Sequence, residues 1–105
     1  MKQYQQAIEN YKKIVQLDPQ ALDAYNEIGF NYYSLGQLQE AVVYFEKAIT
    51  INPGHAAAYY NLGMLYNNSG QRQKARENLQ KAKDLLTSSN DTQLRNKIED
   101  LLSRL

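Results

Sequence analysis

Residues 25–53 read YNEIGFNYYSLGQLQEAVVYFEKAITINP, and the alternation of large and small side chains in this stretch decides the fold. Its first half places Tyr25, Ile28, Gly29 and Tyr32 at the i, i+3, i+4, i+7 spacing of one helical face. Gly36 then stops the helix, because glycine accepts the positive φ of a C-terminal cap. A second apolar face follows at Ala41, Val42, Phe45, Ala48 and Ile49. Asn52-Pro53-Gly54 ends it, since the residue before a proline is pushed out of the α region. Gly29, Ala41 and Ala48 carry little or no side chain where two antiparallel helices must approach closely, and Tyr32 and Phe45 fill the space beside them. The stretch predicts a helical hairpin.

The pattern recurs at a shift of about 34 residues. Onward it gives Tyr59, Leu62, Gly63, Tyr66, Gly70, Ala75 and Leu79; backward its second half gives Ala7, Tyr11 and Pro19. Further columns agree, with Gln3, Gln37 and Gln71, then Gln5, Gln39 and Gln73, then Lys13, Lys47 and Lys81. The whole pattern resembles the tetratricopeptide repeat, whose signature is an aromatic, Leu-Gly, Tyr, Ala, Phe and Pro at fixed offsets. The central unit has Tyr25 where tryptophan is usual and Ile28 for leucine, and the next has Thr87 in place of the proline. The first unit is half present, from Gln3, so the resemblance covers about residues 3 to 89. It implies an all-α fold, an α-solenoid of antiparallel helix pairs stacked into a right-handed superhelix. Its concave groove would receive peptides or other proteins, and it does not imply catalysis.

Domain organisation follows from the period. A single domain over residues 1–105 divides into a half repeat at 1–20, full repeats at 21–54 and 55–89, and a capping helix at 90–105. Residues 87–91, TSSND, form the clearest loop, and Asp91 or Asn90 is placed to cap the helix that follows. That helix carries Leu94, Ile98, Leu101, Leu102 and Leu105 on one side and mixed charges on the other. Lys97 stands where a further repeat needs glycine, so this helix reads as a solvating end cap. Glu9–Lys13 and Glu77–Lys81, four apart on outer faces, are expected to add small ion-pair support.

Composition excludes several functions. A hydrophobic content of 43% and a charged content of 22% are ordinary for a soluble globular chain. Without cysteine there is no thiol or disulfide chemistry. A net charge of +1 argues against nucleic acid, which needs a strongly basic surface. No apolar run is long enough to span a bilayer, and the N-terminus lacks a signal-peptide core, so no membrane partner and a cytoplasmic location are the default expectations. The charge is unevenly spread: four lysines against six acids leave −2 over residues 1–53, and eight basic side chains against five acids leave +3 over 54–105. Arg72, Lys74, Arg76, Lys81 and Lys83 carry most of the basic excess, on what reads as a solvated helix face.

Catalytic and metal readings find no support. His55 is the single histidine and reads as a surface residue at a helix start; with no second His or Cys beside it, neither a metal site nor a cofactor is expected. Asp23 and Glu27 stand four apart on one helix face, with nothing apolar arranged to raise a carboxyl pKa. Five scattered glycines form no phosphate-cradling loop. Many of the nine tyrosines fill repeat core columns, which argues against base stacking. The chain is not expected to be an enzyme.

Binding needs side chains that the core does not claim. In tetratricopeptide arrays the groove is lined mainly by first helices, at positions offset from the core columns. Carried onto this chain, the resemblance implies Asp23, Asn26, Glu27, Phe30 and Tyr33 in the central repeat, and Tyr60, Asn61, Met64, Asn67 and Asn68 in the next. The groove would offer aromatics and Met for apolar contact and amides for a peptide backbone. Some family members grip the C-terminal carboxylate of chaperone tails with Lys and Arg here. This chain keeps Asn61 without those cations, and Asp23 with Glu27 would prefer a neutral or basic peptide.

The first helix poses a separate question. Tyr4, Ala7, Ile8, Tyr11, Ile14, Val15 and Leu17 sweep about half of its circumference. One neighbour covers part of that arc, and the remainder has no partner within the chain. Leaving two or three such side chains wet costs roughly 1.5–3 kcal/mol each against a total stability of about 5–15 kcal/mol. Two readings stay open: further repeats precede this helix, or another copy covers it through Tyr4, Ala7, Tyr11 and Ile14 as a homodimer or larger assembly. The expected function is an adaptor or scaffold that binds a protein segment in its groove, with self-assembly as the alternative.

Overall fold

The structure, a computed structural model, describes residues 2–86 and 91–105. Six helices follow one another: α1 (Lys2–Leu17), α2 (Leu22–Ser34), α3 (Leu38–Ile51), α4 (Ala56–Asn68), α5 (Arg72–Leu85) and α6 (Thr92–Arg104), with no strand among the described residues. They fall into two compact units, Met1–Pro53 and Gly54–Leu105. In the first, α2 packs against both α1 and α3; in the second, α5 packs against both α4 and α6.

The same hairpin is built twice. Gly29 on α2 faces the Phe45 ring so closely that a Cβ there would stand 2.8 Å from two ring carbons. Gly63 on α4 faces Leu79 in the same way, its hypothetical Cβ 2.6 Å from Leu79 Cγ. Each helix pair thus seats a bulky residue against bare backbone, with Ala41 and Ala48 beside Phe45, and Ala75 and Ala82 beside Leu79, all wholly buried. α2 and α4 both end in a Schellman motif. Gly36 (φ 79) and Gly70 (φ 80) take the left-handed position. The amides of Gln37 and Gln71 then donate to the carbonyls of Tyr32 and Tyr66 at 2.9 and 2.8 Å.

Packing rather than capping holds these helices. α2 to α5 begin at Ala21, Gln37, His55 and Gln71 without a side-chain cap, so their stability comes from the buried faces. α6 differs: Asp91 Oδ1 accepts the Leu94 amide at 3.1 Å. The loop expected at residues 87–90, and Asn90 as a cap, lie outside the described residues. α6 lays Ile98, Leu94, Leu101, Leu102 and Leu105 on a core that includes Leu79, Ala82 and Leu86. Arg76 closes over it, donating to the Leu105 carbonyl at 2.7 Å.

Two sequence expectations change. Among the described residues the Glu9–Lys13 and Glu77–Lys81 ion pairs are not formed, and Glu77 Oε1 instead accepts from Gln73 Nε2 at 3.3 Å. His55 is half-buried rather than a surface residue, and its Nε2 is buried with no hydrogen-bond partner. Its place as the residue leading into α4 sets the ring against packed structure rather than in solvent.

Candidate functional site

α2 divides cleanly into two sides. Ala24, Ile28, Gly29 and Tyr32 are buried, and Asp23, Glu27 and Phe30 are exposed, Phe30 at 46%. At about 100° per residue, Asp23, Asn26, Glu27, Phe30 and Tyr33 share one stripe. Asn26 and Tyr33 are half-buried within it. The stripe is an aromatic edge flanked by two carboxylates.

The corresponding residues of the second unit behave differently. Asn61, Met64 and Asn67 on α4 are half-buried and Asn68 is exposed. Tyr60 packs partly against the core that α5 and α6 share, so its ring is committed to stability as well as to any surface role. This stripe carries no carboxylate, so the acidic character expected of the lining belongs to α2 alone.

The sequence reading did not single out Asn31. It is buried, 8% exposed, and its Nδ2 donates to the Glu27 carbonyl at 2.7 Å. One period on, the same column holds Leu65, so the signal was a polar residue in an apolar column.

Nor did it single out a cluster spanning α1, α2 and α3. Lys12 Nζ donates to Tyr32 Oη at 2.8 Å and lies 5.8 Å from the centre of the Tyr44 ring. Lys47 Nζ lies 4.8 Å from that centre and 5.9 Å from Tyr25. Tyr44 in turn stacks with Tyr25 at 6.3 Å and tilts against Tyr32 at 5.6 Å. The hydrogen bond to Tyr32 holds the Lys12 ammonium above its usual range; partial burial pulls the other way but does not win.

On α1, Ile8 is wholly buried while Tyr4 (40%), Ile14 (44%) and Leu17 (90%) are exposed and Ala7 and Tyr11 are half-buried. The counterparts of Ile14 one and two periods on, Ala48 and Ala82, are wholly buried. Among the described residues no group of three or more His, Cys, Asp or Glu is placed to hold a metal, and no helix is long and apolar enough to cross a membrane.

Paired helices meeting through glycine, repeated at a fixed period, define a helical-repeat protein. The tetratricopeptide repeat model matches residues 20–88, and a second TPR repeat model matches residues 1–36. The chain belongs to the tetratricopeptide repeat family, and its fold class is that family's all-α solenoid of antiparallel helix pairs. No curated protein matches it. Among solved structures it is similar to the type III secretion translocator chaperone SycD of Yersinia enterocolitica, with a TM-score of 0.95 at 14% identity over 98% of this chain and 78% of that one. It is similar to the TPR2B domain of yeast Sti1, solved in complex with pHsp70, with a TM-score of 0.89 at 20% identity over 97% and 82%. It is also similar to YrrB, a TPR protein with an unusual peptide-binding site, with a TM-score of 0.79 at 30% identity; the match covers 94% of this chain and 50% of YrrB.

Proposed function

We propose that this chain is a protein-interaction module, an adaptor or scaffold that binds a segment of another protein along the solvent-facing stripe of α2. The observation that carries the reading is Phe30, exposed at 46% between Asp23 and Glu27 on the side of α2 turned away from the core. A half-wet phenylalanine gives up part of the roughly 1.5–3 kcal/mol that its burial would yield, and a docking partner recovers it. The two carboxylates favour a segment with an apolar or aromatic side chain next to Lys or Arg. SycD has been solved with a peptide of the translocator YopD, which supports peptide capture on this fold. The proposal assigns no catalytic residue.

The test is selection of random dodecapeptides on the immobilised chain, followed by titration of the winners. Enrichment of basic and aromatic residues is expected, with binding weakened about tenfold or more in a Phe30→Ala/Tyr33→Ala variant of unchanged helicity. Unaltered affinity in that variant would exclude the stripe.

A second reading has an observation of its own. Ile14 stands in a column that is alanine and wholly buried in α3 and α5, yet it is 44% exposed, beside Leu17 at 90%. Another copy of the chain, seated on Tyr4, Ala7, Tyr11 and Ile14, would cover that face. SycD has been solved as an alternative dimer. Sedimentation over a dilution series decides: self-assembly requires a concentration-dependent dimer that Ile14→Asp abolishes, and a monomer throughout would discard it.

A further inference from the structure

Beside the Lys12–Tyr44–Lys47 cluster, α3 forms one wall of an open recess of about 450 Å³. Pro19, Tyr25, Val43, Thr50 and Ile51 border it with Lys47, whose Nζ lies 4.8 Å from the centre of the Tyr44 ring. On α2, Tyr25 lies about 140° around the helix from Phe30, so the recess is a different surface from the one proposed for peptide capture.

Three features set this place apart from the rest of the repeat. The first is charge. Two ammonium groups lie within 6 Å of one ring centre, at 5.8 and 4.8 Å, and neither meets a carboxylate. The second is a departure from the period. Tyr44 takes a column that holds Asn10 and Asn78, and Lys12 takes one that holds Glu46 and Gln80. The α4–α5 hairpin forms without a tyrosine in that column, whereas here Tyr44 packs on Tyr25 and Tyr32 and Lys12 bonds Tyr32 from α1. The third is the wall itself. The matching surface of α5 is bordered by Gln73, Glu77, Gln80, Lys81 and Asp84, with no apolar side chain among them. On α3 it offers Val43, exposed at 49%, with Pro19 and Ile51.

We propose that this recess is a second docking site, for a peptide that presents an apolar side chain next to a single carboxylate. The apolar side chain lies on Val43, Pro19 and Ile51, against the Tyr25 ring. The carboxylate accepts from the ammonium of Lys47, with Lys12, 5.8 Å from the centre of the same Tyr44 ring, adding charge nearby. Glu46 also borders the recess, about 100° around α3 from Lys47. It repels a run of acids, so one carboxylate fits and an acidic tract does not. The two faces of α2 then select opposite charges: the Asp23–Glu27 stripe takes basic segments and the recess takes an acidic one.

The experiment is an amide-resolved NMR titration of the full chain with acetyl-Gly-Ser-Leu-Asp-Ser-Gly-amide as probe. Peptides with Lys for the Asp, or Ser for the Leu, serve as controls. Saturable shifts are expected at Val43, Lys47, Thr50 and Ile51, with either control weaker by about tenfold. Lys47→Gln and Tyr44→Asn should each weaken binding by a similar factor, with far-UV circular dichroism checking that the second, which removes a ring packed on Tyr25 and Tyr32, keeps its helices. Phe30→Ala should leave this titration untouched, which separates failure here from failure of the α2 stripe. Shifts confined to the α2 stripe, equal binding of the lysine peptide, or unchanged affinity in Lys47→Gln would each overturn the proposal, as would an absence of saturable shifts.

Discussion

Replacing Gly63 with alanine tests the close helix approach on which the repeat rests. In an open helix the change helps by about 0.8–1.0 kcal/mol, because glycine is the poorer helix former. Here the new Cβ would stand 2.6 Å from Leu79 Cγ and 2.7 Å from Cδ2, with the Ala75 carbonyl at 3.4 Å behind. Ordinary contact needs about 3.5–4.0 Å between carbons, so Leu79, wholly buried, must move by roughly an ångström or the helices must part. Overpacking of that kind costs about 1–3 kcal/mol. The clash at least offsets the propensity gain, and the net expectation is a loss of about 0–2 kcal/mol. Urea denaturation followed by far-UV circular dichroism measures it, and about 4–8 °C of Tm per kcal/mol gives a second readout. The decisive arm repeats the change on a Leu79→Ala background. That substitution alone costs about 2–5 kcal/mol, and with the leucine gone the added methyl should become neutral or stabilising. A change of sign between the two backgrounds is the signature of direct contact. If Gly63→Ala stabilises the unmodified chain, α4 and α5 do not approach as described and the reasoning fails.

Four further outcomes follow from the same structure. Gly36→Ala or Gly70→Ala, each at φ near 80 with open space around it, should lose about 1–2 kcal/mol through left-handed strain alone, with no rescue from a partner change. Asp91→Ala removes the cap on the Leu94 amide and should cost about 0.5–2 kcal/mol, read as lost amide protection in α6 before the other helices. The raised Lys12 pKa contributes stability that is fully present below its ordinary value of 10.5 and is lost as pH rises through the folded value. Denaturation of the chain and of Lys12→Met should therefore converge in alkaline solution and differ below it. The difference is a few tenths of a kcal/mol, because the ammonium is largely solvated. Asn31→Leu, which restores the residue found at Leu65, should hold or raise stability, since it removes a buried amide whose bond to the Glu27 carbonyl is worth about 1 kcal/mol net.

How far the sequence could be read tracks how far each feature depends on spacing. The hairpins, the two positive-φ glycines and the small-against-large seating of Gly29 on Phe45 are one-dimensional facts: they repeat at a fixed period and need no partner to be located. Phe30 was legible for the same reason, since the columns that the core uses leave its stripe over. What stayed hidden depends on distances between helices. Tyr60 was assigned to the lining by its column, yet it is partly claimed by a core that includes Ile98, thirty-eight positions away and outside any repeat. Lys12, Tyr44 and Lys47 come from two different repeats. Nothing in their separate stretches says that two ammonium groups will settle on one ring; the meeting follows from α1 and α3 both packing on α2. A trace of it was nonetheless visible. Once the period is known, each column predicts its own members, and Asn31, Tyr44 and Lys12 each break theirs. In a repeat protein the columns report what every hairpin needs, so a break that the hairpin does not require points to a need outside it. Asn31 meets a carbonyl of its own helix. Lys12 bonds Tyr32, and Tyr44 packs on Tyr25 and Tyr32 beside Lys47, which borders a recess open to solvent; a binding partner is the need that this arrangement would serve.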